Sequence, residues 1–197
     1  MAKKKQNPTT NIIAGKYKGK KILLPSLGVT RGSKSILKES FFNTIQFEII
    51  DKIFIECFGG SGSMGLEAIS RGAKKAHFIE LDKSSYKTLK ANCQSIDENS
   101  SFPILGDTFE QTPKIVQNIS ETKEVVLYID PPFDIREGMS DIYDKCFAMI
   151  EEFSNQDVKF FLICIEHSSA LKIPKQIGNY ELTKTKKFGK SSLSYFI

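Results

Sequence analysis

Apolar positions along the chain change their period twice. Asn11 to Lys16 and Lys20 to Leu24 flank Tyr17, Lys18 and Gly19, the layout of a short hairpin that Pro25 ends, after a tail running from Lys3 to Thr10. From about Lys34 to Ile50, Leu37, Phe41, Ile45 and Ile49 recur every four residues with Phe42 beside them, which is one face of a helix. Short apolar runs then alternate with amphipathic stretches. The runs are Ile53 to Cys57, Ala76 to Leu81, Phe102 to Leu105, Val125 to Ile129 and Lys159 to Ile165. Between them, Tyr86, Leu89, Cys93 and Ile96 share a helical face, as do Ile142, Tyr143, Cys146, Phe147, Ile150 and Phe153. Strands alternating with helices predict an α/β protein with a mainly parallel sheet covered on both faces. Tyr180 to Lys187 and Ser191 to Ile197, around Phe188, Gly189 and Lys190, predict a closing antiparallel hairpin.

Composition is that of an ordinary globular protein, with 40% apolar and 26% charged residues in 197. That length favours a flexible basic tail over 1–10, a hairpin-and-helix extension over 11–50 and one domain over 51–197. Cys57, Cys93, Cys146 and Cys164 stand far apart and only two histidines are present, so no metal site is expected and the thiols are expected buried and reduced. The basic, polar start is not a secretory signal and no run of eighteen apolar residues occurs, which points to a cytoplasmic protein with no membrane partner.

Charge is unevenly placed. Of 28 basic and 23 acidic residues, ten basic ones and no acidic one lie in the first 38 positions, leaving the rest at 18 − 23 = −5. Lys184, Lys186, Lys187 and Lys190 form a second basic group. Should the two ends meet in space, they make one polyanion-binding surface, because Lys and Arg release counterions condensed on phosphates. Lys16, Lys18, Lys20, Lys21, Lys184, Lys186 and Lys187 are the candidate RNA contacts.

Two constellations carry chemistry. Ile53 to Cys57 runs into Phe58, Gly59, Gly60, Ser61, Gly62, Ser63, Met64 and Gly65, so that Gly60, Gly62 and Gly65 spell G-x-G-x-x-G between a strand and a helix. Glycines there permit a tight turn and close approach of a ligand, and Glu80, at the end of the next strand, is placed to accept ribose hydroxyls. An adenosine-containing ligand follows. Glu56 argues for S-adenosylmethionine over a dinucleotide, since a carboxylate repels a pyrophosphate and favours an ammonium and a sulfonium.

The second constellation is Asp130-Pro131-Pro132-Phe133 after a wholly apolar strand. Two prolines fix two φ angles and hold residue 130 extended, so the carbonyls point in set directions. An exocyclic amine conjugated with a base ring is a poor nucleophile. With its two hydrogens accepted by the Asp130 carboxylate and the Pro131 carbonyl, the nitrogen becomes more tetrahedral and aims its lone pair at a sulfonium methyl. Phe133 offers a ring on which a splayed-out base stacks. The motif alone does not separate guanine from adenine, so an adenine amino-methyltransferase of DNA or RNA stays open. A nicotinamide oxidoreductase and a non-catalytic RNA-binding protein on the same fold are weaker alternatives.

These residues, with Ile12-Ile13-Ala14-Gly15-Lys16, Gly19-Lys20-Lys21, Lys38-Glu39-Ser40-Phe41-Phe42-Asn43, Gly65-Leu66-Glu67-Ala68 and Ile79-Glu80-Leu81-Asp82, resemble the RsmD family of class I methyltransferases, from Ile12 to Phe196. The resemblance implies a Rossmann-like domain with a seven-stranded sheet. It implies methylation of the exocyclic amine (N2) of a guanine in 16S ribosomal RNA, within an assembled or assembling small subunit, by a monomer using S-adenosylmethionine. It puts the methionyl group against Glu56, Phe58 and Gly60 in the loop that also holds Gly59 and Ser61, the ribose on Glu80, the adenine beside Leu81 with Asp107 and Thr108 near its amino group, and the target base at Asp130 to Phe133. One departure stands out: Arg31-Gly32-Ser33 and Lys38 replace the family's more arginine-rich approach to the first long helix, a segment expected to close over the cofactor or meet RNA, with Arg31 as a further RNA contact.

Overall fold

The computed structural model describes residues 8–25, 31–132 and 141–197, and for 31–34 the backbone alone. A two-stranded antiparallel ribbon, β1 (Thr9–Asn11) and β2 (Lys21–Leu23), leads into α1 (Arg31–Thr44). Then follow β3 (Ile53–Cys57), α2 (Ser63–Ser70), β4 (Lys75–Glu80), α3 (Lys83–Ile96), β5 (Ser101–Leu105), α4 (Thr108–Gln117) and β6 (Val125–Ile129). The chain closes with α5 (Ile142–Asn155), β7 (Leu162–Ser168), β8 (Gln176–Ile177), β9 (Tyr180–Phe188) and β10 (Ser191–Phe196).

The main sheet has the order β5-β4-β3-β6-β7-β10-β9-β8. Strands β3 to β7 are parallel, whereas β10, β9 and β8 are added antiparallel. The order reverses beside β3, and ligands of such sheets bind outside the strand carboxyl ends at that switch point. The sheet has eight strands, one more than expected, because Gln176 and Ile177 pair with Glu181 and Tyr180.

Period-2 alternation splits the core. Phe54, Phe78, Tyr128, Cys164 and Tyr195 face α1, α2 and α3, whereas Ile55, Ile79, Leu127, Ile129, Ile163 and Ile165 face α4 and α5. Phe41 of α1 anchors the first layer, with ring centroids 5.0 Å from Phe42 and 5.1 Å from Tyr128, both edge-on.

The N-terminal region departs most from expectation. Thr9 and Thr10 are strand rather than tail, and the hairpin pairs 9–11 with 21–23 around a long turn, because Tyr17 pulls that turn onto the domain. Tyr17 donates its amide to Ser70 Oγ at 2.9 Å and its hydroxyl to Asp97 at 2.6 Å, while Lys16 and Lys20 ammonium groups lie 4.8 Å from its ring. Helix α1 ends at Thr44; Ile45 and Ile49 stay buried in a following turn that Asp51 closes with φ 60°. The β7 strand runs three residues later than expected, placing Glu166 and His167 within it.

A buried ionic cluster fastens this extension. Glu67 of α2 is 0% exposed and accepts the amides of Ile13 at 2.7 Å and Ala14 at 3.0 Å, with Arg71 Nε at 2.8 Å and Lys38 Nζ at 3.5 Å. Lys38, 2% exposed, also donates to the Asn11 carbonyl at 2.9 Å. Its position in the first long helix therefore tethers the extension. Burial lowers the Lys38 pKa, opposed by Glu67.

Candidate active site

Strand β3 ends in a loop whose tightness is set by side chains behind it. A Cβ on Gly62 would lie 2.6 Å from Leu89, and one on Gly65 2.4 Å from Phe78. Gly65 lets α2 pack on β4, and Gly62 lets the turn before it pack on α3. Gly60 differs: at φ 52° its nearest neighbour is the Phe58 carbonyl at 3.9 Å, so this glycine turns an open face outward. Phe58 also adopts a left-handed φ of 62°, a strained conformation for a ring-bearing residue. It is held by its amide donating to Thr108 Oγ1 at 3.3 Å and by its ring edge-on to Phe109 at 5.9 Å.

Glu56 is not at a solvated strand end. It is 5% exposed and accepts the Met64 amide at 3.3 Å and the Gly65 amide at 2.7 Å. Gly62, the residue before α2, has no side chain to cap the helix, so Glu56 reaches over from β3 and meets the positive end of the helix dipole. Its negative charge thereby stays next to the loop in a fixed geometry. Ser61 is buried and its carbonyl accepts Asn92 Nδ2 at 2.9 Å.

Glu80, half-buried at the end of β4, accepts the Gly60 amide on Oε2 at 2.8 Å and the Asp82 amide on Oε1 at 2.7 Å. Each oxygen keeps a second lone pair. Leu81, next to it, is 60% exposed, an apolar surface of the kind a flat ring covers. Asp107 and Thr108 begin α4. Asp107 caps that helix by accepting the Phe109 amide at 2.7 Å, and Thr108 is buried against Phe58, so both also shape the loop.

Asp130 follows β6, the neighbour of β3, and its amide reaches the Cys57 carbonyl at 3.5 Å. It is half-buried, and Pro131 beside it is buried. The structure thus brings the Glu56 to Gly65 loop, Glu80, Leu81, Asp107 and Asp130 to Pro132 to one edge of the sheet. Phe133 lies outside the described residues, as does the Arg31 side chain. Burial pushes the Tyr128 phenol pKa well up, and the charge of Glu166, which accepts its hydroxyl at 2.9 Å, raises it further, as does that of Asp130.

The two lysine groups do not meet. The turn bearing Lys16, Lys18 and Lys20 docks on the last residues of α2 and α3, through the Lys16 amide to the Ser70 carbonyl at 2.7 Å and through Tyr17 to Asp97. The loop and Glu80 sit at the opposite ends of those helices. Fourteen residues of α3 span about 20 Å at 1.5 Å each. Lys21, exposed in β2, belongs to the same ribbon. Lys184, Lys186 and Lys187 line β9, three strands beyond β6. Lys184 and Lys187 are exposed, whereas Lys186 donates to Thr44 Oγ1 at 2.7 Å and to Ser40 Oγ at 3.2 Å and so braces α1.

Glu166 and Tyr128 went unnoticed in the sequence, and Glu67 was named only as part of the Gly65 to Ala68 motif, without a role. Glu166 stands one residue past the apolar run that ends at Ile165, and the strand continues through it to Ser168.

The model of the family described as conserved hypothetical protein 95, the RsmD-type methyltransferases, matches residues 10–197. The chain belongs to this family. Ribosomal RNA small subunit methyltransferase D of Haemophilus influenzae is 35% identical over 136 residues, 66% of this chain and 69% of that protein. The protein of the same name from Buchnera aphidicola subsp. Baizongia pistaciae is 28% identical over 199 residues, 100% of this chain and 96% of that one. A solved structure from Haemophilus influenzae described as a methylase shares 26% identity with a TM-score of 0.71, covering 96% of this chain and 98% of that one. The fold also matches M. jannaschii TYW2 in complex with AdoMet, at a TM-score of 0.56 and 14% identity over 100% of this chain and 88% of that one. This RsmD-type chain is an S-adenosylmethionine-dependent methyltransferase.

Proposed function

We propose that this RsmD-type enzyme methylates the exocyclic N2 amine of a guanine in small-subunit (16S) ribosomal RNA. The observation that carries the reading is the placement of Asp130, Pro131 and Pro132 directly after β6, the neighbour of the strand that leads into the glycine loop. Acceptors for an amine thereby stand beside a cradle for a nucleoside.

The residues present suit S-adenosylmethionine. Gly60 leaves room for close approach, Glu80 keeps acceptor capacity for ribose hydroxyls, Leu81 offers an apolar face for adenine, and Glu56 supplies a fixed negative charge for the methionyl end. Bound there, the cofactor supplies an electrophilic methyl group on a sulfonium. Asp130 and the Pro131 carbonyl accept the amine's hydrogens and direct its lone pair, so positioning and local charge carry the catalysis. The N–C bond forms as the C–S bond breaks, and the proton leaves from the nitrogen once it is cationic, so no strong base is required.

Glu80→Ala is expected to weaken S-adenosylmethionine binding roughly 10- to 100-fold, the worth of hydrogen bonds to a charged group. Isothermal titration reads it, and unchanged affinity would remove Glu80 from the ribose site. For RNA, Lys187 and Lys184 on β9 and the ribbon lysines are proposed as two separate contact regions. Replacing Lys16, Lys18 and Lys20 together by Gln is expected to flatten the log-log salt dependence of RNA binding by about 0.7 to 0.9 for each phosphate no longer neutralised. An identical slope makes the ribbon a solvated surface only.

The deciding experiment is transfer of a labelled methyl group to small ribosomal subunits lacking the modification, followed by identification of the product nucleoside. N2-methylguanosine supports the proposal, with a monomer acting in the cytoplasm on an assembled or assembling subunit. N6-methyladenosine overturns it. Naked RNA in parallel reports which form of the acceptor is used.

A further inference from the structure

Acceptors at Asp130 and Pro131 engage hydrogens that guanine and adenine amines both carry, so choosing between the bases requires another group. Parallel pairing of β6 with β7 aligns Tyr128 with Cys164 and Ile129 with Ile165. One step on, Asp130 and Glu166 become lateral neighbours on strands about 4.8 Å apart. Tyr128 and Cys164 both point to the layer beneath α1, and alternation sends the side chains two residues later to that same side. Glu166 is 3% exposed and accepts the Tyr128 hydroxyl at 2.9 Å on Oε2. Asp130 and Glu166 also act together on the Tyr143 phenol of α5, whose pKa burial raises first and their charges raise further. Asp130 and Glu166 thus stand side by side at the strand end where the acceptor amine is expected, with the Tyr128 hydroxyl bonded to Glu166.

The two bases differ next to the amine. Guanine has an N1–H donor adjacent to its N2 amine, whereas adenine has an N1 lone pair adjacent to N6. A carboxylate accepts from the first and repels the second. With little hydration left, a buried carboxylate makes a strong charge-assisted hydrogen bond to a donor and a large penalty for an acceptor.

We infer that Glu166 is a specificity-determining residue of the target-base site, its carboxylate accepting guanine N1–H while Asp130 takes a hydrogen of the N2 amine. Tyr128 holds one oxygen of Glu166 and so fixes the direction of the carboxylate. This inference rests on the guanine-N2 reading above.

2-Aminopurine probes the contact, because it keeps the amine at C2 but presents a lone pair at N1; it also lacks O6, so the Glu166 variant is what assigns a preference to N1. Small-subunit RNA is prepared with guanine or 2-aminopurine at the methylated position, assembled into subunits, and compared by kcat/KM for labelled methyl transfer. The wild-type enzyme is expected to prefer guanine by at least about 100-fold, as sites built to bond a donor reject analogues lacking it. Glu166→Gln keeps an acceptor for Tyr128 and can offer an amide N–H to the N1 lone pair. It is expected to use 2-aminopurine at least as well as guanine, with S-adenosylmethionine affinity unchanged. Equal wild-type rates on the two substrates overturn the inference without any variant, and so does a Glu166→Gln enzyme that retains the wild-type preference. A wild-type product of N6-methyladenosine would instead mark failure of the underlying reading.

Discussion

Asp130→Ala is expected to bind S-adenosylmethionine as the wild type does and to lose about 100- to 1,000-fold in kcat, the range for removing one preorganised polar contact to a reacting group. The separation of effects follows from geometry. Glu56, Gly60, Glu80 and Leu81, the residues proposed to cradle the cofactor, belong to β3, β4 and the residues that follow them, whereas Asp130 follows β6 and donates its backbone amide to Cys57 of β3, a contact alanine keeps. Asp130→Asn retains one carbonyl acceptor without the charge and is expected to fall between the two. Single-turnover methyl transfer with saturating cofactor reads the chemical step directly. Near wild-type turnover by the alanine variant would remove Asp130 from the reaction.

The second large effect is on stability. Glu67→Ala removes the acceptor shared by two backbone amides, Arg71 and Lys38, all within the sheltered layer between the N-terminal ribbon and α2. Breaking a buried pair by deleting one partner costs about 3 to 5 kcal/mol, because the remaining charge is left uncompensated. For a chain of this size that corresponds to a fall in Tm of roughly 10 °C. Arg71 keeps its contact with the Phe42 ring, 5.0 Å from the centroid, but Lys38 is left with the Asn11 carbonyl. Glu67→Gln, which preserves an acceptor for the ribbon, is expected to lose less. Thermal and denaturant unfolding of the two variants measure both, and a loss below about 1 kcal/mol for alanine would show that the ribbon is held by apolar packing instead.

The strands with the strongest message were those buried on both faces. Ile53–Cys57 and Val125–Ile129 begin and end where their apolar runs do: four of five residues in the first and all five in the second are buried, as in strands covered on both faces. Helix α4 was not anticipated: Pro113 stands within it, and only Ile115 and Val116 among its apolar residues are fully buried, too few to set a period. The location of Asp130 and Glu80 at strand ends was legible because a strand followed by a turn fixes its last residue. The role of Glu56 was not, since it depends on α2 folding back so that its first amides meet a carboxylate eight and nine residues earlier. Separation of the lysine groups was hidden for the same reason. Which end of the domain receives the ribbon is set by Tyr17, Ser70 and Asp97, contacts between residues more than fifty positions apart.

The four thiols have an experimental use. Cys57 in β3 and Cys164 in β7 face opposite sides of the sheet two strands apart, Cys93 lies in α3 on one side and Cys146 in α5 on the other, and all four are free and buried. Burial lifts the pKa of Cys57 and of Cys93 to about 12, and those of Cys146 and Cys164 higher still, so the reactive thiolate is scarce as well as shielded. Alkylation of the native protein therefore has to wait for the chain to open. Followed cysteine by cysteine with mass spectrometry, labelling rates would report the opening free energy of each layer separately, using reporters the protein already carries.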